Sequence, residues 1–433
     1  MRDMKRHAAM ILLTLVAALS TPAANASDDD IGYTVRSGDT LIGLAKLYLI
    51  KPDSYQQVQR YNAIKDPLAI PVGRVVQFPR DVLKYIPATA KLLSVRGRVL
   101  VNNSANAVAG QILREGSRLA TAESSFATIL LDNGSRLSLP SNSDIRITRL
   151  RTYVLGGSLD YDFDIDKGGA RSAVNALKSS DDRYRVRTPK AVSAVRGTDF
   201  QSRYDPATDK DFAEVIEGGL AVGVSGNAIL KLPAGNGLAV PKNGAVITET
   251  LLPAPALIEP GRRQSDAEVK FAPSPTPAAA GYRYTLSSDA GFVDQVADIK
   301  ASIETVSFAN ISDGNYFVRA RAISASGIEG IPATFAFKRR LNAVSATADA
   351  GDNGFVFKWS AQGKGVSEYH FQLFRGSKDS IAMVDEAALI SDQISLSDLP
   401  PGDYYWRVGS VQYQDGEVAT NWTPFEKLNI GAS

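Results

Sequence analysis

The sequence predicts a multidomain, mainly β protein: a small βααβ module, a β-rich domain of solenoid or sandwich type, and two β-sandwich repeats. Three observations predict this. Apolar residues at helical spacing are confined to one stretch of about fifty residues near the N-terminus. From residue 83 to about 250, short alternating apolar runs are broken by Gly and Asn turns. From residue 263 to the end, an aromatic pattern recurs 88 residues later. A length of 433 residues suits about three domains, and 44% apolar content is ordinary for a globular protein.

The divisions predicted are 1–26 as a leader, 27–82 as the βααβ module, 83–250 as the β-rich domain and 251–262 as a linker. Residues 263–340 and 341–433 are the two repeats. In the leader, Arg2, Lys5 and Arg6 precede the apolar run Ala8 to Leu19, and Ala24-Asn25-Ala26 is a small-x-small cleavage site before Ser27. That run is shorter than the ~20 residues of a membrane span. The chain is thus expected to be exported to the periplasm or cell envelope, with no membrane span once the leader is cleaved. Formal net charge is +2, and the leader accounts for all of it, so nothing suggests a nucleic-acid partner.

In the first module, Tyr33-Thr34-Val35 reads as a strand and Ser37-Gly38-Asp39 as a turn, with Gly38 supplying positive φ. Asp39 is the expected N-cap of a helix whose face is Leu41, Leu44, Ala45 and Tyr48. A second helix is expected from Ser54, with Ser54-x-x-Gln57 as a capping box and Tyr55, Val58 and Tyr61 as its apolar face. Pro67 and Pro71 force extended chain, and Val75, Val76 and Phe78 close the module as a strand.

These residues resemble the LysM family of glycan-binding modules. The motifs that carry the resemblance are Tyr33-Thr34-Val35, Gly38-Asp39-Thr40-Leu41, Asn62, Ile70-Pro71-x-Gly73 and Phe78-Pro79. Ile42 departs from the pattern, where an aromatic residue is common, and Gly43 weakens the first helix by up to ~1 kcal/mol. The resemblance implies binding to N-acetylglucosamine-containing chains, chiefly peptidoglycan. It places the sugar between Gly38, Asp39, Thr40 and Leu41 on one side and Ile64, Pro67, Leu68 and Ile70 on the other. Backbone groups are then expected to bond the N-acetyl groups, and Leu41 and Ile70 to cover sugar faces. Read bare, Leu41 and Ile70 are equally core residues and Gly38-Asp39 a turn.

In the β-rich domain, Leu92 to Val101 alternates around Arg96-Gly97-Arg98, and Phe126 to Leu139 reads as a hairpin around Asp132-Asn133-Gly134. Ile145 to Ile147 and Tyr153 to Phe163 continue the pattern. Residues 184–200, YRVRTPKAVSAVRGTDF, resemble the FecR family: a strand, Thr188-Pro189, a small-residue stretch, then Arg196-Gly197-Thr198-x-Phe200. Proline ends the strand because it cannot donate to the ladder, and Gly197 permits a close turn. Arg196 is expected to bridge backbone carbonyls or an acid such as Asp199. The family is named for a membrane regulator. With its only apolar run expected to be cleaved and no cytoplasmic segment expected before it, this chain departs from that regulator, so the resemblance implies a β-rich fold and a protein partner in the envelope, unidentified by sequence, rather than the regulatory role. Arg183, Arg185 and Arg187 alternate on one strand face, solvated or facing an anionic ligand. Asp160, Asp162, Asp164 and Asp166 alternate likewise, which suits a solvated face, calcium or, least well, acid–base catalysis.

Pro253, Pro255 and Pro260 suggest a stiff linker. Beyond it, Gly314-Asn315-Tyr316-Phe317-Val318-Arg319 matches Gly402-Asp403-Tyr404-Tyr405-Trp406-Arg407, and Phe271 matches Trp359 at the same offset. The units resemble fibronectin type III domains. That implies Phe271 and Trp359 as core aromatics and Tyr316 and Tyr404 as tyrosine corners, with sugar stacking as the alternative role.

There are no cysteines, which excludes disulfides, lipidation at cysteine and a thiol nucleophile. Of two histidines, His7 lies in the leader and His370 in a strand-like run. No cofactor or metal site is called for. The expectation is a non-enzymatic envelope protein that binds peptidoglycan and presents protein-interaction domains; the alternative is a periplasmic sensor that relays a signal through the FecR-like domain.

Overall fold

The computed structural model describes residues 30–104, 106–224, 228–302, 305–351, 354–414 and 416–431. The expected leader and its cleavage site lie outside the described residues. The chain divides into two compact units, one of residues up to 86 plus 153–158, the other of residues 87–152 and 159–433.

In the first unit, Asp30–Thr34 pairs antiparallel with Val75–Pro79, placing Tyr33 opposite Val76. Helices Leu41–Tyr48 and Tyr55–Tyr61 lie between them in sequence. Leu41, Leu44, Ala45, Val58, Val76 and Phe78 form the core, with Tyr48 and Tyr55 packed against it. Tyr61 differs from expectation: it is 43% exposed, and its hydroxyl donates to Asp30. Both helix caps are also corrected. Thr40, not Asp39, is the first N-cap; its backbone is still extended, and its Oγ1 accepts from Gly43 N at 3.0 Å. Asp39 instead closes the turn, accepting from Arg36 N at 2.7 Å and Tyr33 OH at 2.8 Å. Ser54 makes no side-chain cap bond, because a 3₁₀ turn over Pro52–Ser54 already holds it in helical backbone. Asn62 is buried and ties the second helix to the closing strand: its Nδ2 donates to Val58 O and Gln77 O, and its Oδ1 accepts from Gln77 N at 2.7 Å.

The βααβ module is not made from consecutive residues alone. Tyr153 and Leu155, from the turn 153–158, are 1% and 3% exposed within the same core as Leu41 and Phe78. The Arg80 guanidinium lies over the Tyr153 ring at 5.3 Å, and Val154 N donates to Lys84 O at 3.0 Å.

In the second unit, residues 87–250 form two antiparallel-rich ladders around one core. The 15-residue strand Leu159–Ala173 belongs to both. Its first half pairs with Asp144–Tyr153 and, in parallel, with Arg183–Arg187; its second half pairs with Asp199–Asp205 and Arg136–Leu139. The change of ladder falls at Gly168, whose φ is +74° and where a Cβ would sit 2.6 Å from Asn142 O. Only glycine fits that bend. The expected hairpin is present: Phe126–Leu131 pairs with Arg136–Leu139 across Gly134 at φ +82°.

Residues 251–262 are packed rather than free. Leu251 and Leu257 are buried, Ile331 N donates to Leu252 O, and Ile258 N donates to Ala272 O, both at 2.9 Å. The leucines before and between the prolines supply apolar surface that a spacer would leave wet.

Each repeat is a two-sheet sandwich. In the first, Val269–Phe271 pairs with Val306–Phe308, facing a four-stranded sheet of Gln295–Ala301, Gly281–Ser287, Gly314–Ile323 and Ala333–Arg339. In the second, Val344–Gly351, Gly354–Ala361 and Gln393–Ser397 form one sheet, and the other is built on Val366–Arg375 and Gly402–Gln414. Phe271, Trp359 and Tyr404 are buried, so they are core rather than sugar platforms. Tyr404 OH donates to Pro400 O at 2.6 Å, a tyrosine corner. Tyr316 is only half-buried and stacks on Phe337, centroids 5.7 Å apart.

Candidate glycan-binding site

The two loops singled out by sequence are joined by a backbone bond: Leu41 N donates to Pro67 O at 2.8 Å. Gly38 sits at φ +87° with nothing within 4 Å of where a Cβ would be, so the first loop is open at that point. Asp39 and Thr40 are half-buried and committed to the turn and the helix cap. Burial separates the eight residues further. Leu41, Ile64 and Ile70 are 0%, 6% and 7% exposed, so their side chains are core and only their backbone can face a ligand. The expectation that Leu41 and Ile70 cover a sugar face is therefore corrected. Leu68, 62% exposed on the second loop, is the apolar side chain free to do so, beside half-buried Pro67.

Sequence reasoning missed what shapes the second loop. Asp66 Oδ1 accepts from Leu68 N at 2.8 Å, and Gln59 Nε2 donates to Ile64 O at 3.1 Å. Asp66-Pro67 is a turn-forming pair, so an Asx turn was readable there; the Gln59 contact depends on tertiary placement.

The aspartates of the β-rich domain face arginines. The parallel register sets Asp160 opposite Arg183, Asp162 opposite Arg185 and Asp164 opposite Arg187. Asp160 accepts from Arg183 Nη2 at 2.9 Å, and Asp162 from Arg185 Nη2 at 2.7 Å and Arg187 Nε at 2.9 Å. Asp166 meets Arg118 at 3.2 Å. The calcium reading of the aspartates and the solvated or ligand-facing readings of the arginines give way to one ion-pair ladder. Asp162 is 1% exposed. Neutralising it removes a buried carboxylate partner from both Arg185 and Arg187, so Asp162→Asn is expected to cost about 3 kcal/mol in urea unfolding followed by hydrogen exchange of residues 159–187. A cost under about 1 kcal/mol would mean the ladder is only a surface pairing.

In the 184–200 signature, Thr188 N donates to Ala191 O at 2.9 Å, which turns the chain after the strand. Gly197 has φ +137°, and a Cβ there would sit 2.9 Å from Ala176 Cα. Arg196 is exposed and donates to the Ser179 and Ser180 carbonyls, while Asp199 accepts from Arg171 instead. His370 pairs with Asp385 and lies on Trp422, ring centroids 4.9 Å apart.

Residues 33–79 match the family LysM domain, and residues 117–220 match the family FecR protein. The chain thus carries both modules, followed by two β-sandwich repeats. No curated protein matches it. Among solved structures, it is similar to a candidate anti-sigma factor from Parabacteroides distasonis at 16% identity, TM-score 0.26, over 31% of this chain. The chain spans 59% of that protein's length. It is also similar to the chicken CNTN1 FN1–FN3 domains at 14% identity, TM-score 0.20, covering 58% of this chain and 97% of that one. A two-domain fibronectin type III segment of chicken tenascin aligns at 13% identity, TM-score 0.19, over 40% of this chain and 98% of the segment. TM-scores this low support no inference about activity.

Proposed function

We propose that this protein binds N-acetylglucosamine-containing chains, peptidoglycan foremost, in the groove between residues 38–41 and 64–70, and catalyses nothing. The observation that carries this reading is the pinned pair of loops, with Leu41 N on Pro67 O at 2.8 Å and Gly38 and Leu68 left open beside it. Backbone groups bond N-acetyl groups there, and Leu68 covers a sugar face. The FecR domain and the sandwiches present surfaces to an envelope protein, and the site of action is the periplasm or cell envelope. Among the described residues no helix is long and apolar enough to cross a membrane.

A sedimentation assay with insoluble peptidoglycan tests it. The full chain should pellet at low and at high salt, because uncharged contacts are little screened. Leu68→Glu should weaken binding of a chito-oligosaccharide about tenfold, the equivalent of losing roughly 1.4 kcal/mol of apolar cover. Equal binding by the variant would place the site elsewhere. No soluble muropeptides should be released; release would make the protein a hydrolase. A second reading, a sensor relaying a signal to a membrane partner, is favoured by the FecR match over 117–220. A membrane protein crosslinked through that domain, and lost when residues 117–220 are deleted, would establish it.

A further inference from the structure

The four-stranded sheet of the first repeat and the strands Leu159–Ala173 and Asp199–Asp205 enclose a cleft of about 680 Å³. On the sheet, Lys300, Arg283 and Arg321 form one cross-strand row, and Asp298, Thr285 and Arg319 the next. Most of the guanidiniums are answered. Arg283 meets Asp298 and Glu329, Arg321 meets Glu329 and Gln201, Arg203 meets Glu214, and Arg171 meets Asp199.

Arg319 is not answered. Among the described residues it makes no hydrogen bond or ion pair, and its Nε is buried without an acceptor. Its guanidinium lies 3.6 Å from the centre of the Phe292 ring, which is itself 1% exposed. Burial pushes its pKa down, and the cations Arg171 and Arg321 add to that, ahead of any help from Asp199 and Asp289. Arginine keeps its proton regardless. Arg319 is half-buried, and a guanidinium whose Nε is buried without an acceptor, beside like charges, is costly unless an anion completes it. Among the described residues, the cleft's acids that make no ion pair, Glu123 and Asp205, equal in number its lysines that make none, Lys167 and Lys300, so the unmatched positive charge is that of Arg319.

We propose that the cleft is an oxyanion site, in which a carboxylate or phosphate group of a small ligand seats against the Arg319 guanidinium, with its cross-strand neighbour Thr285 on the same wall. A planar fork of donors matches either group in two-point fashion. The volume lies within the ~300–1,000 Å³ of small-molecule sites. The site is independent of the glycan groove.

Calorimetric titration of the full chain at low ionic strength, with succinate as the carboxylate probe and inorganic phosphate as the other, tests this. At least one probe should bind, and Arg319→Met should bind it at least ~tenfold more weakly, the loss typical of a charge-assisted bond. Arg319→Lys, which keeps the charge but not the fork, should fall between. The probe that binds more tightly identifies the chemistry. Free of ligand, Arg319→Met should melt no lower than wild type, since it removes an uncompensated charge. Absence of binding by both probes, equal binding by Arg319→Met, or a marked loss of folding in that variant would overturn the proposal.

Discussion

Glu329→Gln is expected to destabilise the second unit by about 3–5 kcal/mol, the cost of removing one charged partner from a buried ion-pair cluster. Glu329 is 1% exposed and meets Arg283 Nε at 2.7 Å, Arg321 Nη1 at 3.5 Å and Arg203 Nη1 at 3.7 Å. Burial alone would raise its pKa; the guanidiniums of Arg203, Arg283 and Arg321 overcome that and hold the carboxyl well below the usual carboxylate range. A depressed acid contributes its stability above the unfolded pKa, about 4.3, and loses it as pH falls. Glu214, 0% exposed, runs the other way. Burial pushes its carboxyl up despite Arg203, so its charge costs stability at neutral pH and acid relieves that cost. The variant should therefore show a shallower loss of stability between about pH 5 and pH 3 than wild type. Hydrogen exchange of residues 199–217 and 281–339 is the suitable measurement. Tryptophan fluorescence is not, since Trp359, Trp406 and Trp422 all lie in the last repeat. An unchanged exchange pattern would mean that the guanidiniums find other partners.

Leu155→Ala is expected to abolish glycan binding without touching the groove. Leu155 is 3% exposed in the core that holds Leu41, Val58 and Phe78. Truncating a buried leucine costs about 2–5 kcal/mol. A module of about sixty residues has only a few kcal/mol of stability to lose. Residues 30–86 should become open to protease and to hydrogen exchange, while the strands of 159–224 keep their protection. Retained binding together with unchanged protection would show the module to be self-sufficient. By the same reasoning, a fragment ending at residue 82 should fold poorly, and its failure to bind glycan would not count against the groove.

The parts legible in the sequence are those in which neighbours in space are neighbours in the chain. The βααβ order, the hairpin at Gly134 and the repeated aromatics all fall in this class. The N-cap was displaced by one residue, because which hydroxyl or carboxylate meets the helix depends on where the backbone turns, and Thr40 and Asp39 are both competent. Leu41 and Ile70 read equally well as cover or core, since hydrophobicity does not say which way a loop side chain points. The aspartates and the arginines each read, in sequence, as a charged strand face. Their pairing is parallel, between strands 23 positions apart, and nothing local announces it. Leu155 is further still from its partners, about seventy residues beyond Leu83.

That separation also bears on the order in which the chain acquires structure. As synthesis proceeds, residues 30–86 emerge first, yet Tyr153 and Leu155 follow only after the strands from Ala90 to Thr152 have been made. The N-terminal module is therefore not the first piece to be finished. It waits, with Leu41, Leu49 and Leu83 only partly covered, for a turn that arrives late. Closing that long loop is slow relative to local helix formation. Until then part of its apolar core lacks its cover, the condition under which incomplete folds are prone to associate.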